Sequence, residues 1–137
     1  MHDKDLSIVF RSTPRLLCDI RAMIRSYLVN QGVQDDKVQE LVLAVDEACT
    51  RLIRSATPGA TLVVIVDPRD DVVVVEASTT CDTDEVVAEG SFSWHVLSSL
   101  TDDLKTFHNG ASGGAGAGPD GRVFGITLTT RRAGTAR

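Results

Sequence analysis

The sequence predicts an α+β domain in which helices pack on one face of a mixed, mostly antiparallel β-sheet. A length of 137 residues suits one hydrophobic core, so we expect residues 1–137 to form a single domain. Apolar residues recur with helical spacing in three segments, and strands are predicted in five others, two of which are dense in β-branched residues. The resulting order is strand, helix, helix, strand, strand, helix, strand, strand, which favours one sheet with a helical layer.

The first half of the chain supplies one strand and two helices. A strand is predicted at residues 6–11, and Ser12-Thr13-Pro14 after it combines a hydroxyl cap with a proline suited to a first helical turn. That helix is expected to end at Gln31-Gly32. Asp35-Asp36 begins the second helix, where negative charge is favourable, and the helix stops before Thr57-Pro58-Gly59.

The second helix has the clearest periodicity in the sequence. At 100° per residue its apolar residues fall in one broad sector, which predicts a helix with one buried face. Cys49 lies inside this sector, so we interpret it as a small buried apolar residue rather than a nucleophile. The sector consists of Val38, Leu41, Val42, Val45, Cys49, Leu52, Ile53 and Ala56.

The second half alternates strands with one helix. Strands are predicted at residues 61–66 and 72–76, joined by a hairpin turn at residues 67–71, and their nearly continuous apolar runs suggest a sheet partly covered on both faces. Residues 79–90 are predicted to form a loop, and residues 93–106 a third helix. Phe107 and His108 are then expected to begin a strand, and the last strand covers residues 122–130.

A glycine-rich segment precedes the last strand. Residues 110–121 read GASGGAGAGPDG, and we expect a flexible loop at 111–120. Phosphate-binding loops present their N–H groups at the N-terminus of a helix, whereas this segment leads into a strand. It is therefore interpreted as a hairpin connection. Residues 132–137 are expected to be a frayed tail.

Composition excludes several classes of protein. A formal charge of −5 argues against direct binding to nucleic acid, which needs clustered Lys and Arg. No apolar run approaches the roughly 20 residues of a membrane span, and the N-terminus lacks a signal pattern. The three cysteines are far apart and form no metal-binding motif, so we expect a cytoplasmic protein without a bound metal. Cys81 is the cysteine expected to be exposed, in a loop.

The segment 40–56, ELVLAVDEACTRLIRSA, resembles the second helix of the RsbW-type anti-sigma factor kinases, a branch of the GHKL ATPase/kinase superfamily. The resemblance covers nearly the whole chain, including the order of elements, the Asp-Pro hairpin and the short third helix. Further strings that carry it are VVVEAS, GSFSWHVL and VFGITLT. It implies the GHKL (Bergerat-type) α/β sandwich.

In this family the second helix carries Glu-x-x-x-Asn, with the Glu as general base and the Asn holding Mg²⁺. Glu47 keeps the first position here, but Arg51 takes the second. A guanidinium has no lone pair to offer a metal. Glu47 and Arg51 are also spaced i,i+4 in the favourable order for an ion pair, and we favour this simpler role over catalysis by Glu47.

The resemblance places two further nucleotide motifs, and both are altered. Asp-x-Gly-x-Gly, which recognises adenine, aligns with Glu76, Ser78 and Thr80. Gly-x-Gly, which surrounds the phosphates, aligns with Ser91 and Ser93, with the bulky Phe92 between them and Trp94 after them. ATP with Mg²⁺ is the cofactor that the family implies, and these changes predict that its binding is weak or lost.

The family also implies partners. Its members bind a sigma factor, here of the sigma-F or sigma-B type that serves stress responses, and keep it from RNA polymerase. An anti-anti-sigma protein with a STAS domain releases the sigma factor. The partner-contacting arginine of the family aligns with Arg21, and Arg25 would share its helix face. Family members form homodimers through the sheet, and the alternation of Leu6, Ile8 and Phe10 is consistent with this.

The sequence is compatible with three functions. The first is a binding module that acts by exchange of partners. The second is a serine/threonine kinase with a divergent ATP site, in which Glu47 is the base and Arg51 meets phosphate. The third is a scaffold that binds ATP without transferring phosphate. The altered motifs favour the binding module, and the retained Glu47 and Glu76 are the argument for the kinase.

Overall fold

The computed structural model describes residues 8–12, 17–83, 86–109 and 122–132. The described chain forms five strands and three helices in the predicted order. The strands are β1 (Ile8–Ser12), β2 (Leu62–Pro68), β3 (Val72–Cys81), β4 (Asp103–Asn109) and β5 (Arg122–Arg131). The helices are α1 (Leu17–Asn30), α2 (Asp35–Ser55) and α3 (Phe92–Leu100).

The five strands form one sheet in the order β1-β2-β3-β5-β4. Every strand pair in this described sheet is antiparallel. The central strand β3 is hydrogen-bonded to β2 on one side and to β5 on the other, over its whole length on the β5 side. Together with the helices, this sheet confirms the expected α+β class.

The hydrophobic core lies between the helices and one face of the sheet. Helix α2 packs against β2, β3 and β5, and both α1 and α3 pack against α2. The apolar sector predicted for α2 is confirmed, since Leu41, Val45 and Leu52 are fully buried. Cys49 is buried in the same sector, as predicted. Burial of this sector, rather than capping, fixes α2, because Gln34 at its N-cap makes no side-chain cap hydrogen bond.

The two faces of the sheet are buried to different extents. In β2 and β3 buried residues alternate with partly exposed ones, as expected when helices cover one face. The partly exposed set includes Val63, Ile65, Val72 and Val74. Among the described residues no element packs on this second face, so the described segments do not provide the two-sided cover that the apolar runs suggested.

Two boundaries differ from the prediction. Strand β3 continues to Cys81 rather than ending at Glu76, because Thr79 and Thr80 pair with β5. The buried Thr79 hydroxyl donates to the carbonyl of Thr61 at 2.9 Å, which satisfies a polar side chain in a covered position. The prediction of a loop from residue 79 was therefore wrong for its first three residues.

The third helix is also shorter than predicted. It ends at Leu100, where the Thr101 hydroxyl donates to the Leu97 carbonyl at 2.7 Å. Strand β4 then begins at Asp103, since its pairing with β5 runs from Asp103 to Asn109. Residues 103–106 were predicted as helix because the spacing of Leu100 and Leu104 fits both periods.

The connection between α1 and α2 is tied to the end of β5. Gly32 has φ of +80°, a conformation that favours glycine after the end of a helix. Arg132 donates to the carbonyls of Gln31 and Arg69, and its own carbonyl accepts from Gln34 N–H. Arg132 was predicted to begin a frayed tail and is instead ordered by these contacts.

Other predictions lie outside the described residues. They are the cap at residues 13 and 14, the glycine-rich loop at 111–120 and the tail from residue 133 onwards. Within the described segments, no helix is long and apolar enough to span a bilayer.

Candidate functional site

The strongest cluster of predicted site residues lies where α3 meets α2. Glu47 and Arg51 are one turn apart on α2, and Arg51 Nε lies 3.1 Å from Glu47 Oε2. The side chains are 24% exposed for Glu47 and 35% exposed for Arg51, so this is a half-buried ion pair. The structure thus confirms the i,i+4 pair that the spacing predicted.

Ser93 joins this pair from the first turn of α3. Its Oγ donates to the same Oε2 of Glu47 at 2.7 Å, across 46 residues of sequence. Ser93 is only 8% exposed, so the hydrogen bond is largely shielded from water. A short bond to a carboxylate in such a position is stronger than a bond between neutral groups. We call Glu47, Arg51 and Ser93 the α2–α3 cluster.

The other serine of the predicted phosphate motif has a structural role. Ser91 is the N-cap of α3, and its Oγ accepts from Trp94 N–H at 3.2 Å. Phe92, between the two serines, is 81% exposed, whereas Trp94 is partly buried against the core. His95 is exposed on the same helix. The motif positions therefore cap α3 and connect it to α2, with an aromatic side chain at the surface.

The α2–α3 cluster does not suit Mg²⁺ and a nucleotide as the family motif would hold them. Glu47 Oε2 already accepts two hydrogen bonds, and Arg51 offers only donors. Magnesium prefers oxygen ligands in an octahedral arrangement, which these two residues do not provide. No group of three or more His, Cys, Asp or Glu side chains that could hold a metal occurs among the described residues.

The residues predicted to recognise adenine lie on the other side of the sheet. Glu76, Ser78 and Thr80 alternate with the buried residues of β3, so they belong to the face that α2 does not cover. The structure does not bring them together with Glu47, and their role in adenine recognition stays a prediction. Register decides which face they occupy, since a shift of one residue along a strand moves every side chain to the opposite face.

The residues of β3 that face the helices are Ala77, Thr79 and Cys81. If the adenine motif began one residue later, its first position would lie on this face. That position is Ala77, which has no carboxylate. Sequence reasoning missed this because Val72–Val75 are four valines in succession, and an unbroken run gives no indication of which residues face the core.

The two arginines of the predicted partner surface lie on α1. Arg21 Nη1 lies 3.4 Å from Asp46 Oδ1 on α2, and both side chains are partly exposed. Asp46 was not singled out from the sequence, since only the packing of α1 on α2 brings it beside Arg21. Arg25, one turn further along α1, is exposed. The pair thus consists of one arginine positioned by an ion pair and one at the surface.

Cys49 and Cys81 are both buried. Burial raises the pKa of the Cys49 thiol to about 12, with a smaller contribution from Asp46. Burial also raises the pKa of Cys81 to about 11, and Asp82 adds to it. The expectation that Cys81 lies exposed in a loop was wrong, because β3 extends to that residue and its side chain faces the core. Neither thiol is a reactive thiolate at neutral pH.

Comparison with known proteins identifies the family. The model of the histidine kinase-like ATPase domain matches residues 10–116. The chain is 56% identical over 120 residues to the anti-sigma-F factor RsbW of Mycobacterium tuberculosis, strains CDC 1551/Oshkosh and H37Rv. The alignment covers 86% of this chain and 68% of the relative. The chain belongs to the histidine kinase-like ATPase domain family, in the RsbW branch, as its sequence motifs predicted.

Proposed function

We propose that this protein is an anti-sigma factor that binds an alternative sigma factor of the sigma-F or sigma-B type and keeps it from RNA polymerase. The observation that carries the proposal is 56% identity over 86% of the chain to a relative named anti-sigma-F factor RsbW. The fold supports it, since the helical layer leaves the outer side of α1 free of any other described element. Such a partner places the protein in the cytoplasm and in the control of stress-response transcription.

The surface proposed for the sigma factor is the exposed side of α1 around Arg21 and Arg25. Asp46 holds the Arg21 guanidinium by one ion pair, which restricts its orientation before a partner arrives. Arg25 is exposed and can present its planar fork to a carboxylate. The partner segment is therefore expected to be acidic, with carboxylates spaced to meet two arginines one helical turn apart.

Release is proposed to occur by exchange of partners. A STAS-domain anti-anti-sigma factor would compete for an overlapping surface, with no need for ATP. Two placements support this: the α2–α3 cluster uses the Glu47 carboxylate for internal bonds, and Glu76 lies on the far side of the sheet. The partly exposed valines and Ile65 on the uncovered sheet face are the surface that we propose for a homodimer.

A serine/threonine kinase that phosphorylates the anti-anti-sigma factor is the second candidate. The observation in its favour is Glu47, which keeps the position of the general base. In that case Glu47→Gln should abolish phosphate transfer and preserve the fold. Unchanged transfer in this variant would remove Glu47 from the mechanism.

Titration calorimetry of the purified protein tests the proposed function. We expect tight binding of the sigma-F-type factor from the same cell and no heat with Mg-ATP. Arg25→Glu should weaken sigma binding by about tenfold or more, equivalent to about 1.4 kcal/mol, because it repels the acidic segment. Arg54→Glu is the matched control. Arg54 is exposed near the C-terminal end of α2, and its substitution changes the net charge by the same amount.

Each result decides between the candidates. Equal losses in the two variants would mean that net charge, not the α1 surface, governs binding. No sigma binding at all would contradict the proposal, and a clear Mg-ATP signal would favour the kinase or the nucleotide-binding scaffold.

A further inference from the structure

Helix α3 is too short to be stable without tertiary contacts. It has nine residues, well below the roughly 12–15 at which an isolated helix becomes marginally stable in water. Leu97 fixes its middle by full burial, and Trp94 packs against the core. Its first turn is tied to α2 by a side-chain hydrogen bond, from Ser93 to Glu47. The position of that turn therefore depends on the α2–α3 cluster.

The cluster is balanced in charge, and its hydrogen bonds converge on one carboxylate oxygen. The Arg51 guanidinium compensates the Glu47 carboxylate, and both Arg51 Nε and Ser93 Oγ donate to one oxygen, Oε2. A half-buried carboxylate is costly without such partners, and here the chain itself supplies them. By the resemblance described above, all three residues align with motif positions for a nucleotide and its metal.

We propose that the α2–α3 cluster replaces the nucleotide as the connection between α2 and the start of α3, so that α3 is held in place by the chain alone. Ser93 acts as the positioning residue, Glu47 as its acceptor, and Arg51 as the internal cation. This inference rests on the proposed loss of the nucleotide site. It explains why two altered motif positions, Arg51 and Ser93, contact the one that is retained.

The inference predicts a selective effect on α3. Ser93→Ala removes the donor and leaves the buried contact apolar, so the first turn of α3 should open more often. We expect backbone amide hydrogen exchange in residues 94–97 to rise about tenfold, with exchange in β3 unchanged. Trp94 is the single tryptophan of the chain and adjoins Ser93, so acrylamide should quench its fluorescence more strongly in the variant.

Ser99→Ala is the matched control on the same helix. Its hydroxyl is exposed and donates only to the Val96 carbonyl of its own turn, at 2.9 Å. We expect wild-type exchange and quenching in this control. If Ser93→Ala raises exchange in β3 as well, the variant is globally unstable, and Glu47→Gln then provides the test. This variant keeps the size and an amide oxygen as acceptor but removes the negative charge, and should raise exchange in residues 94–97 alone.

Addition of Mg-ATP to the wild-type protein completes the experiment. We expect no further protection of α3, because the cluster already holds it. Protection of residues 94–97 by Mg-ATP, or wild-type exchange in both Ser93→Ala and Glu47→Gln, would overturn it. The second result would leave the proposed anti-sigma function standing. Failure to bind a sigma factor, with α3 exchange as expected, would instead contradict the proposed function and support the cluster.

Discussion

The two faces of the sheet differ in environment although they are built from the same strands. In β3 the covered face carries Val73 and Val75, both fully buried, and the uncovered face carries Val72 and Val74, both partly exposed. The residue type is the same, so intrinsic strand propensity does not distinguish the faces. Only the packing of α2 does. The face that a side chain occupies, and hence its role in this sheet, therefore depends on whether its position is odd or even along the strand.

The same difference separates the two carboxylates considered for nucleotide chemistry. Glu47 lies on the helical side and is bound to Arg51 and Ser93. Glu76 lies on the uncovered face, opposite Ile65 of β2 and Thr127 of β5. A resemblance between sequence motifs treats both residues as parts of one site, whereas the fold places a sheet between them.

Leu128 and Thr127 give the largest test of this comparison, since they are neighbours on opposite faces of β5. Leu128 is fully buried under the helices, so Leu128→Ala should lower the free energy of unfolding by about 2–5 kcal/mol through lost burial and a cavity. Thr127 is partly exposed, and Thr127→Ala should change the free energy of unfolding by no more than about 0.5 kcal/mol. Urea unfolding of both variants provides the measurement. Equal effects would mean that the second face is covered as closely as the first, for example by a second copy of the chain.

The buried thiol of Cys49, on the helical side of the sheet, should give a pH-dependent change in stability of intermediate size. The pKa of Cys49 rises from 9.0 to about 12 in the folded chain. Between these values the unfolded chain loses the thiol proton and the folded chain keeps it, so deprotonation favours the unfolded state. Stability should therefore fall as pH rises above about 9, by about 1.4 kcal/mol per pH unit from this group.

Cys49→Ala isolates that contribution. Urea unfolding at pH 8, 9 and 10 should show the wild type losing more stability than the variant at each step, while Cys81 affects both proteins alike. Parallel curves for the two proteins would show that the thiol of Cys49 titrates normally when folded, and hence that its site admits water.

Glu76→Gln is expected to have the smallest effect. If the uncovered face takes no part in nucleotide or sigma binding, this variant should match the wild type in calorimetric titrations with Mg-ATP and with the sigma factor. A loss of sigma heat in Glu76→Gln, with wild-type stability, would show that the uncovered face takes part in sigma binding. The number of protomers, measured by light scattering, should be compared in parallel, because this face is proposed for the homodimer.

Much of the fold followed from the sequence because its signals are local. The 3.6-residue period predicts helix α2, and the turn residues around Gly32 and Pro58 predict where it begins and ends. Neither signal depends on the rest of the chain. The boundaries of α3, β3 and β4 did not follow, because pairing with β5 decides them. Thr79–Cys81 look like a loop until a partner strand is present, and Leu104 fits a helix as well as a strand.

The candidate site shows the same division. The sequence by itself determined the family, the Glu47–Arg51 pair and the buried state of Cys49, since these depend on residue identity and on spacing within one helix. The tertiary structure decided that Ser93 binds Glu47, that Asp46 holds Arg21 and that Glu76 lies on the far face. The Ser93–Glu47 contact spans 46 residues, and the buried face of a strand is set by its neighbours. Both depend on how separate elements pack, which no local sequence pattern predicts.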